Sequence, residues 1–394
     1  MDARQVIDPA TMSEPTHDSS GPGSNEPPAG AKDEIRARVL RINAAIRAAS
    51  RDLRARHPVL RHQDAIGLGI LFASVGAVGA AALGYARGGL SAWATVLAVA
   101  FATSIAHEIE HDLIHDLYFR QKRSVHNAMM ALCWLVRPNT FNPWVRRGMH
   151  LNHHRLSGTP RDLEERAITN GEPFGPKRLL MMADGVAAVL LRLGEAGRHR
   201  HKTLAKFAAG YFPLGWAHFT LWYAFLALHA ARALAAHVPG VPAALVPAAT
   251  PALDAVVVVW IAPNVLRSFC LNFVSSNMHY FGDVAPGNLL QQTQVLDDVR
   301  FLPLQLFCFN FGSTHAIHHF VANEPFYVRQ WTAREAHAVM RDNGVPFNDL
   351  GTFRRANRRG EWSGAIPGRA ERAGATPPRS PRASSSSRSP ARAW

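Results

Sequence analysis

Four long apolar runs, separated by polar and basic segments, set the pattern of this chain. Residues 66–86 (IGLGILFASVGAVGAAALGYA) contain no charge, and after an RGG turn residues 90–106 (LSAWATVLAVAFATSIA) continue in the same vein. Residues 207–231 and 253–276 form a second pair, joined by a Pro- and Ala-rich connection. Each run approaches or exceeds the ~20 residues that an α-helix needs to cross ~30 Å of hydrocarbon. Their Gly, Ala and Ser content suits close helix contacts in lipid. The pattern predicts an all-α protein of four transmembrane helices, with Pro213 and Pro263 as the helix breakers inside the runs. Two further apolar stretches are too short to span. Residues 178–193 and 301–311 are expected to lie in the membrane interface and wall off a site, or else to be ordinary core helix. Trp134, Trp144 and Trp216 are candidate interfacial anchors.

Charge gives the helices a direction. Of the 43 Lys and Arg, ten precede Ile66, sixteen lie between Leu117 and Lys206 and fourteen follow Tyr280. The connections at residues 87–89 and 239–251 hold a single basic residue, Arg87. By the positive-inside rule both termini and the central segment are cytoplasmic, and the two hairpin tips face outward. Because the first sixty residues are polar, no cleaved leader is expected. The expected location is a bacterial inner membrane.

Composition refines this picture. An apolar fraction of 47% excludes a wholly disordered chain. A near-zero mean hydropathy arises because very polar ends dilute the apolar middle. The formal charge of +14 flanks the apolar runs, where it can meet anionic lipid, and no nucleic-acid motif accompanies it, so no nucleic-acid partner is expected. Residues 1–33 and 364–394 are expected to be disordered tails, the second basic, around one membrane domain at 34–363. Cys133, Cys270 and Cys308 are scattered through apolar text without metal-type spacing, which predicts free core thiols in a reducing compartment.

Histidine carries the chemistry. HEIEH, His107 to His111, fits the helical H-E-x-x-H zinc-protease signature, with Glu108 as general base. It also fits H-x-x-x-H, one part of a larger cluster. HLNHH (His150, His153, His154) and HAIHH (His315, His318, His319) share the spacing H-x-x-H-H. On a helix, positions i, i+3 and i+4 lie on one face. The topology puts all three clusters on one side of the membrane. A catalytic zinc needs three protein ligands and would leave most of these imidazoles without a task. Two metals would use all eight and accommodate a ninth, for which His279 in SSNMHYFGD is the candidate. Imidazole suits iron, zinc, copper and nickel, so spacing does not name the metal. A carboxylate-type bundle site would need two E-x-x-H motifs, and only Glu108 to His111 fits.

Three histidine boxes in this order, with four spans, resemble the membrane-bound fatty-acid desaturase superfamily, which includes hydroxylases. The resemblance covers roughly residues 66–330. HEIEHD is similar to its H-[DE]-x-x-H first box, HAIHHFVANEPFYVRQ to its third box with a downstream Pro-x-Tyr (Pro325, Phe326, Tyr327), and NMHYFG to the extra histidine of some members. The resemblance implies a cytoplasmic helical cap carrying the boxes. It implies a non-haem di-iron centre held by His107, His111, His150, His153, His154, His279, His315, His318 and His319. That centre would use O2 as co-substrate to take hydrogen from methylenes of a fatty-acyl or lipid substrate. Electrons would come from a separate ferredoxin-like or other reductase, since no haem-binding H-P-G-G segment occurs. The alternatives are a hydroxylase of the same superfamily and an intramembrane zinc metalloprotease built on HEIEH.

Several assignments stay open at this level. His115 stands four residues past His111, so the first pair could be His111 and His115, although Glu108 after His107 matches the family pattern. His199, His201 and His218 match no box. His218 and His229 are pocket or structural candidates, because ionisable groups inside a membrane are costly. His57, His62 and His126 are expected on the surface. Glu110, Asp112 and Asp162 are candidate partners for ligand imidazoles. Asn272 and Asn277 are expected to satisfy a helix end or to reach the metals through water.

Overall fold

The computed structural model describes residues 29–194, 200–238 and 250–360. The expected C-terminal tail and the Pro/Ala-rich connection lie outside these residues, as does His199. The expected N-terminal tail falls outside them up to residue 28, and residues 29–33 are already helical.

Every named element among the described residues is a helix. The first helix, α1 (Ala29–Arg56), precedes the apolar hairpin of α2 (Gln63–Ala86) and α3 (Ala92–Ile114). The hairpin turns tightly at Gly88, whose φ of 72° favours glycine. Ser91 restarts the chain by accepting a hydrogen bond from the Ala94 N–H at 3.2 Å. Within the pair, Ser74 Oγ donates to the Ala102 carbonyl at 2.7 Å. Near the other end Gly67 admits the Tyr118 ring, where an added Cβ would fall 2.4 Å from Cε1. The central segment holds α4 (Arg123–Val136), α5 (Pro143–Leu156), α6 (Leu163–Ala167), α7 (Pro176–Ala183), α8 (Gly185–Leu190) and α9 (Arg200–Tyr211). The second apolar pair follows as α10 (Leu214–His237), then α11 (Pro251–Val256) and α12 (Ala262–Met278). After them come α13 (Leu289–Gln292), α14 (Leu302–Gln305), α15 (Phe311–Phe320), α16 (Phe326–Trp331) and α17 (Ala333–Asp342).

Four helices are long and apolar enough to cross a membrane: Gln63–Ala86, Ala92–Ile114, Leu214–His237 and Pro251–Met278. Their bounds correct the sequence pattern in three places. The second span runs eight residues past Ala106, because the histidine face of α3 is buried in protein and needs no apolar side chains. The third begins at Leu214 instead of 207, because Pro213 ends the α9 helix and starts the next. The fourth is continuous but passes through a π turn at Val257–Ile261. The ring of Pro263 denies the Val259 carbonyl its usual donor, and the wider turn absorbs that loss.

Residues 178–193 form no single interfacial helix. They break at Asp184, whose Oδ1 accepts from the Ala187 N–H at 2.8 Å and starts α8. The other short stretch also turns, passing through left-handed Phe309 and Asn310 before α15. Below the hairpin a second core joins Ile42 and Ile46 of α1, Val274 and Met278 of α12, Ile317 of α15 and Met340 of α17. This helical cap encloses the ends of α3 and α12. The three cysteines are buried and free.

Candidate metal centre

Helix ends bring the histidines together. His111 lies on the last turn of α3 and His115 caps it, α5 carries HLNHH, His279 follows α12, and α15 carries HAIHH. Their ring nitrogens gather into two groups. One holds His111, His115, His150 and His318; the other holds His153, His279, His315 and His319; within each group the ligand atoms lie within 4.8 Å of one another. His154 Nε2 stands 3.2 Å from His150 Nε2 and 3.0 Å from His318 Nε2, at the edge of the first group.

The shared H-x-x-H-H spacing has a geometric reason. Seen down a helix, i+3 and i+4 fall on either side of i, about 100° apart. Helix α5 sends His150 to the first group, with His154 at its edge, and His153 to the second. Helix α15 does the reverse, sending His315 and His319 to the second group and His318 to the first. One box on each helix therefore serves both groups.

Backbone and carboxylate acceptors fix the ring orientations. His150 Nδ1 faces Glu164 Oε2 at 2.9 Å, His153 Nδ1 faces Asp162 Oδ2 at 2.6 Å, and His279 Nδ1 faces the Ser275 carbonyl at 2.8 Å. These acceptors place the proton on Nδ1 and turn the bare Nε2 lone pair inward. Asp162 also caps α6 through Oδ1, which ties its position to the helix. Glu165, with Oε2 held by Asn170, puts Oε1 3.4 Å from His279 Nε2 and 3.5 Å from His153 Nδ1.

Burial keeps most of these rings neutral. It pulls His115, His150, His154, His315, His318 and His319 below the ordinary imidazole range and pushes His279 down to about 3. For His153 the same burial is outweighed by the hydrogen bond and charge of Asp162, which leave it raised. Burial acts upward on Glu164, yet His150 and Arg146 hold it well below the carboxylate range. Glu165 is raised by burial and by Asp162 and Glu164 beside it.

The donor set fits metal ions. His319 Nε2 meets three other Nε2 atoms, those of His153, His279 and His315, at 3.4, 3.3 and 3.2 Å. With His153 and His279 protonated on Nδ1, these lone pairs face one another, and one imidazole proton would satisfy at most one contact. Both nitrogens of buried His111 lack a hydrogen-bond partner. A cation in each group removes both problems, and an all-imidazole set suits iron among other transition metals.

His107 is the predicted ligand that the structure does not bring into either group. Its Nδ1 lies 2.8 Å from Arg137 Nη1 and its ring stands one turn away from His111, with centroids 6.4 Å apart. His115, the alternative, takes the place. Glu108 faces Arg329 at 3.4 Å and belongs to neither imidazole group, so the zinc-protease arrangement of HEIEH is not assembled. Glu110 pairs with Arg137 and Arg146 and not with a ligand ring. Asp112 accepts from the Tyr118 hydroxyl at 2.8 Å and the Phe326 N–H at 2.9 Å, which joins the Pro-x-Tyr segment to α3. Among the three candidate partners only Asp162 meets a ligand; Glu164 and Glu165 were not singled out, though they follow directly in DLEE.

Other assignments divide. His57, His62 and His201 are exposed, as are Trp144 and Trp216. His126, expected at the surface, is buried with Nδ1 2.9 Å from the Tyr118 carbonyl, because the turn after α3 folds over it. Trp134 is also buried and donates to the Thr140 carbonyl at 3.2 Å. His229 pairs with Asp254 at 3.1 Å between α10 and α11. Asn277 accepts from Thr352 Oγ1 at 2.8 Å, and Asn272 donates to the Met182 carbonyl at 2.9 Å.

A cavity of about 500 Å³ opens onto the cluster, with His111, His150, His153, His279 and His315 on its wall. Met149, Met181, Met182, Leu271 and Phe219 make much of it apolar. Helices α7 and α8 wall it on one side, as expected for residues 178–193. His107, Arg267 and His218 supply polar wall.

A comparison with curated proteins finds no relative that matches. A profile of the family described as fatty acid desaturase matches residues 88–351, a stretch that contains every histidine of both groups. Covering well over half of the sequence, this match shows that the chain belongs to the fatty acid desaturase family.

Proposed function

We propose that the protein is an O2-dependent, di-iron desaturase of fatty-acyl chains. The observation that carries this reading is the pair of imidazole groups on the wall of a largely apolar cavity at the ends of two membrane-length helices. His111, His115, His150, His154 and His318 would hold one iron, and His153, His279, His315 and His319 the other. Two irons so held would supply, with O2 and two externally delivered electrons, the power to take hydrogen from an unactivated methylene.

The chain's own residues orient and exclude. Asp162 and Glu164 hold His153 and His150 at fixed angles, so the inward lone pairs keep their directions as charge at the centre changes. The methionine and phenylalanine wall keeps an acyl chain extended and keeps water away from the reacting carbon. The charge distribution supports a cytoplasmic cap and termini, with a separate reductase reaching the centre from that side.

The test is expression in a host that lacks desaturases, followed by mass spectrometry of total lipid and metal analysis of the purified protein. Acyl chains short of two hydrogens, with two irons per chain, are expected. Chains that gain an oxygen atom would assign the hydroxylase alternative. One tightly held zinc and unchanged lipids would overturn both.

A further inference from the structure

Arg267 of α12 sits in the cavity wall, 1% exposed, with a charge that no carboxylate among the described residues pairs. Its Nε donates to Asn264 Oδ1 at 3.2 Å, and its Nη2 to Asn139 Oδ1 at 3.2 Å and Ser268 Oγ at 3.0 Å. Nη1 has no acceptor. The carboxylates of the neighbourhood are engaged elsewhere: Glu110 accepts from Arg137 and Arg146, and Glu164 from Arg146 and His150. An unpaired guanidinium within a membrane-length helix is costly, and its persistence points to a ligand that pairs it. On α10, His218 lines the same cavity, is equally buried, and leaves Nδ1 without a partner. Arg267, His218 and His107, whose Nε2 is also unpartnered, thus put three residues with an unsatisfied nitrogen in the wall of one chamber, outside the two metal groups.

We infer that this end of the cavity is a carboxylate-binding subsite, so that the substrate carries a free carboxylate. The inference rests on the cavity being the acyl site proposed above. The Arg267 guanidinium supplies the charge that pairs a carboxylate, and the His218 imidazole on the same wall a second polar group. One guanidinium without an ion pair matches the single charge of a carboxylate better than the charge of about two on a phosphate monoester. An ester or thioester carbonyl would leave the guanidinium charge unpaired. The apolar chain then runs from this anchor along the methionine wall towards the imidazoles. The position of the oxidised carbon is measured from the anchored end.

The experiment compares ligands of one chain length on the metal-loaded protein in phosphatidylcholine nanodiscs, without O2 or reductant. Displacement of a radiolabelled saturated fatty acid is read for the free acid, its methyl ester and the matching alkyl phosphate. The wild type is expected to bind the acid about 10- to 100-fold more tightly than the ester. Arg267→Gln should bring the acid to the affinity of the ester while leaving the ester unchanged, and Arg267→Lys should recover part of the gap. Equal affinity of the wild type for acid and ester, or tighter binding of the alkyl phosphate, overturns the subsite. The wild-type ratio needs no variant, so a poorly folding Arg267→Gln protein does not blunt the result. Acid-selective binding without any oxidised lipid would sink the desaturase reading and leave the subsite standing.

Discussion

Helices α3 and α10 are alike in length and in hydropathy, yet they live in different surroundings. The apolar window of α3 is 61% buried inside the protein, and none of the α10 window is. Small residues let α3 pack on α2 and α12, and its hydroxyls are satisfied locally: Thr103 Oγ1 donates to the Val99 carbonyl and Ser104 Oγ to that of Phe101. Its last turn carries His111 of the centre, and His115 caps it. Helix α10 turns Trp216, Tyr223, Leu226 and Leu234 outward. Hydropathy reports that a helix prefers an apolar medium and is silent on whether that medium is lipid or protein. Ionisable groups on one stripe supply the missing information.

Changes at the two helices should therefore differ sharply. At the C-terminal end of α3, His115→Ala should lower product formation at least about 100-fold and halve bound metal, while His107→Gln should keep the full metal content. Metal analysis beside lipid mass spectrometry reads this, and full metal in the His115→Ala protein would return the first ligand pair to His107 and His111. Next comes Glu110, fully buried between two guanidinium groups. Its replacement by Gln strips Arg137 of its carboxylate, leaves Arg146 with Glu164 alone, and should destabilise by about 3–5 kcal/mol, measured by unfolding in mixed micelles. Leu113→Ala should cost about 3 kcal/mol in the same assay, because Leu113 is wholly enclosed, whereas Leu234→Ala on α10, 62% exposed, should cost under ~1 kcal/mol. Equal costs would mean that α10 is covered by a partner.

The smallest effect lies just beyond α3. Burial acts upward on Asp116, but hydrogen bonds from Arg147 and Arg123 hold its carboxyl down to about 2, from an ordinary 3.8. A depressed carboxyl stabilises the folded state above the unfolded value, and that stability is lost as pH falls through the folded one. The window runs from about pH 4 down to about pH 2. With solvent screening at this partly exposed pair the contribution is about 1 kcal/mol, and Asp116→Asn should flatten the pH dependence there.

The boxes and the four spans were legible because both are short-range patterns: a run of apolar residues, and imidazoles at i, i+3 and i+4. The choice within the first box was not. His107, His111 and His115 are spaced i, i+4 and i+8 on one helical stripe, and HDLIH matches H-[DE]-x-x-H as well as HEIEH does. What sets His107 apart is Arg137, which reaches it from just beyond α4 across thirty residues of sequence. Long-range contacts of this kind have no local trace. His126 was misplaced for the same reason, since its burial depends on the turn that folds over it. The start of the third span has a local trace in Pro213, because proline favours the first turn of a helix.

The crossed assignment of α5 and α15 bears on how the centre fills. Each helix donates to both groups, so a first ion would clamp the same two helices that a second would need. The ordering cost would fall mainly on the first uptake event, and a second would proceed on a scaffold already set. Occupancy should then rise steeply with free metal, and chains carrying a single ion should be scarce at every point of the titration.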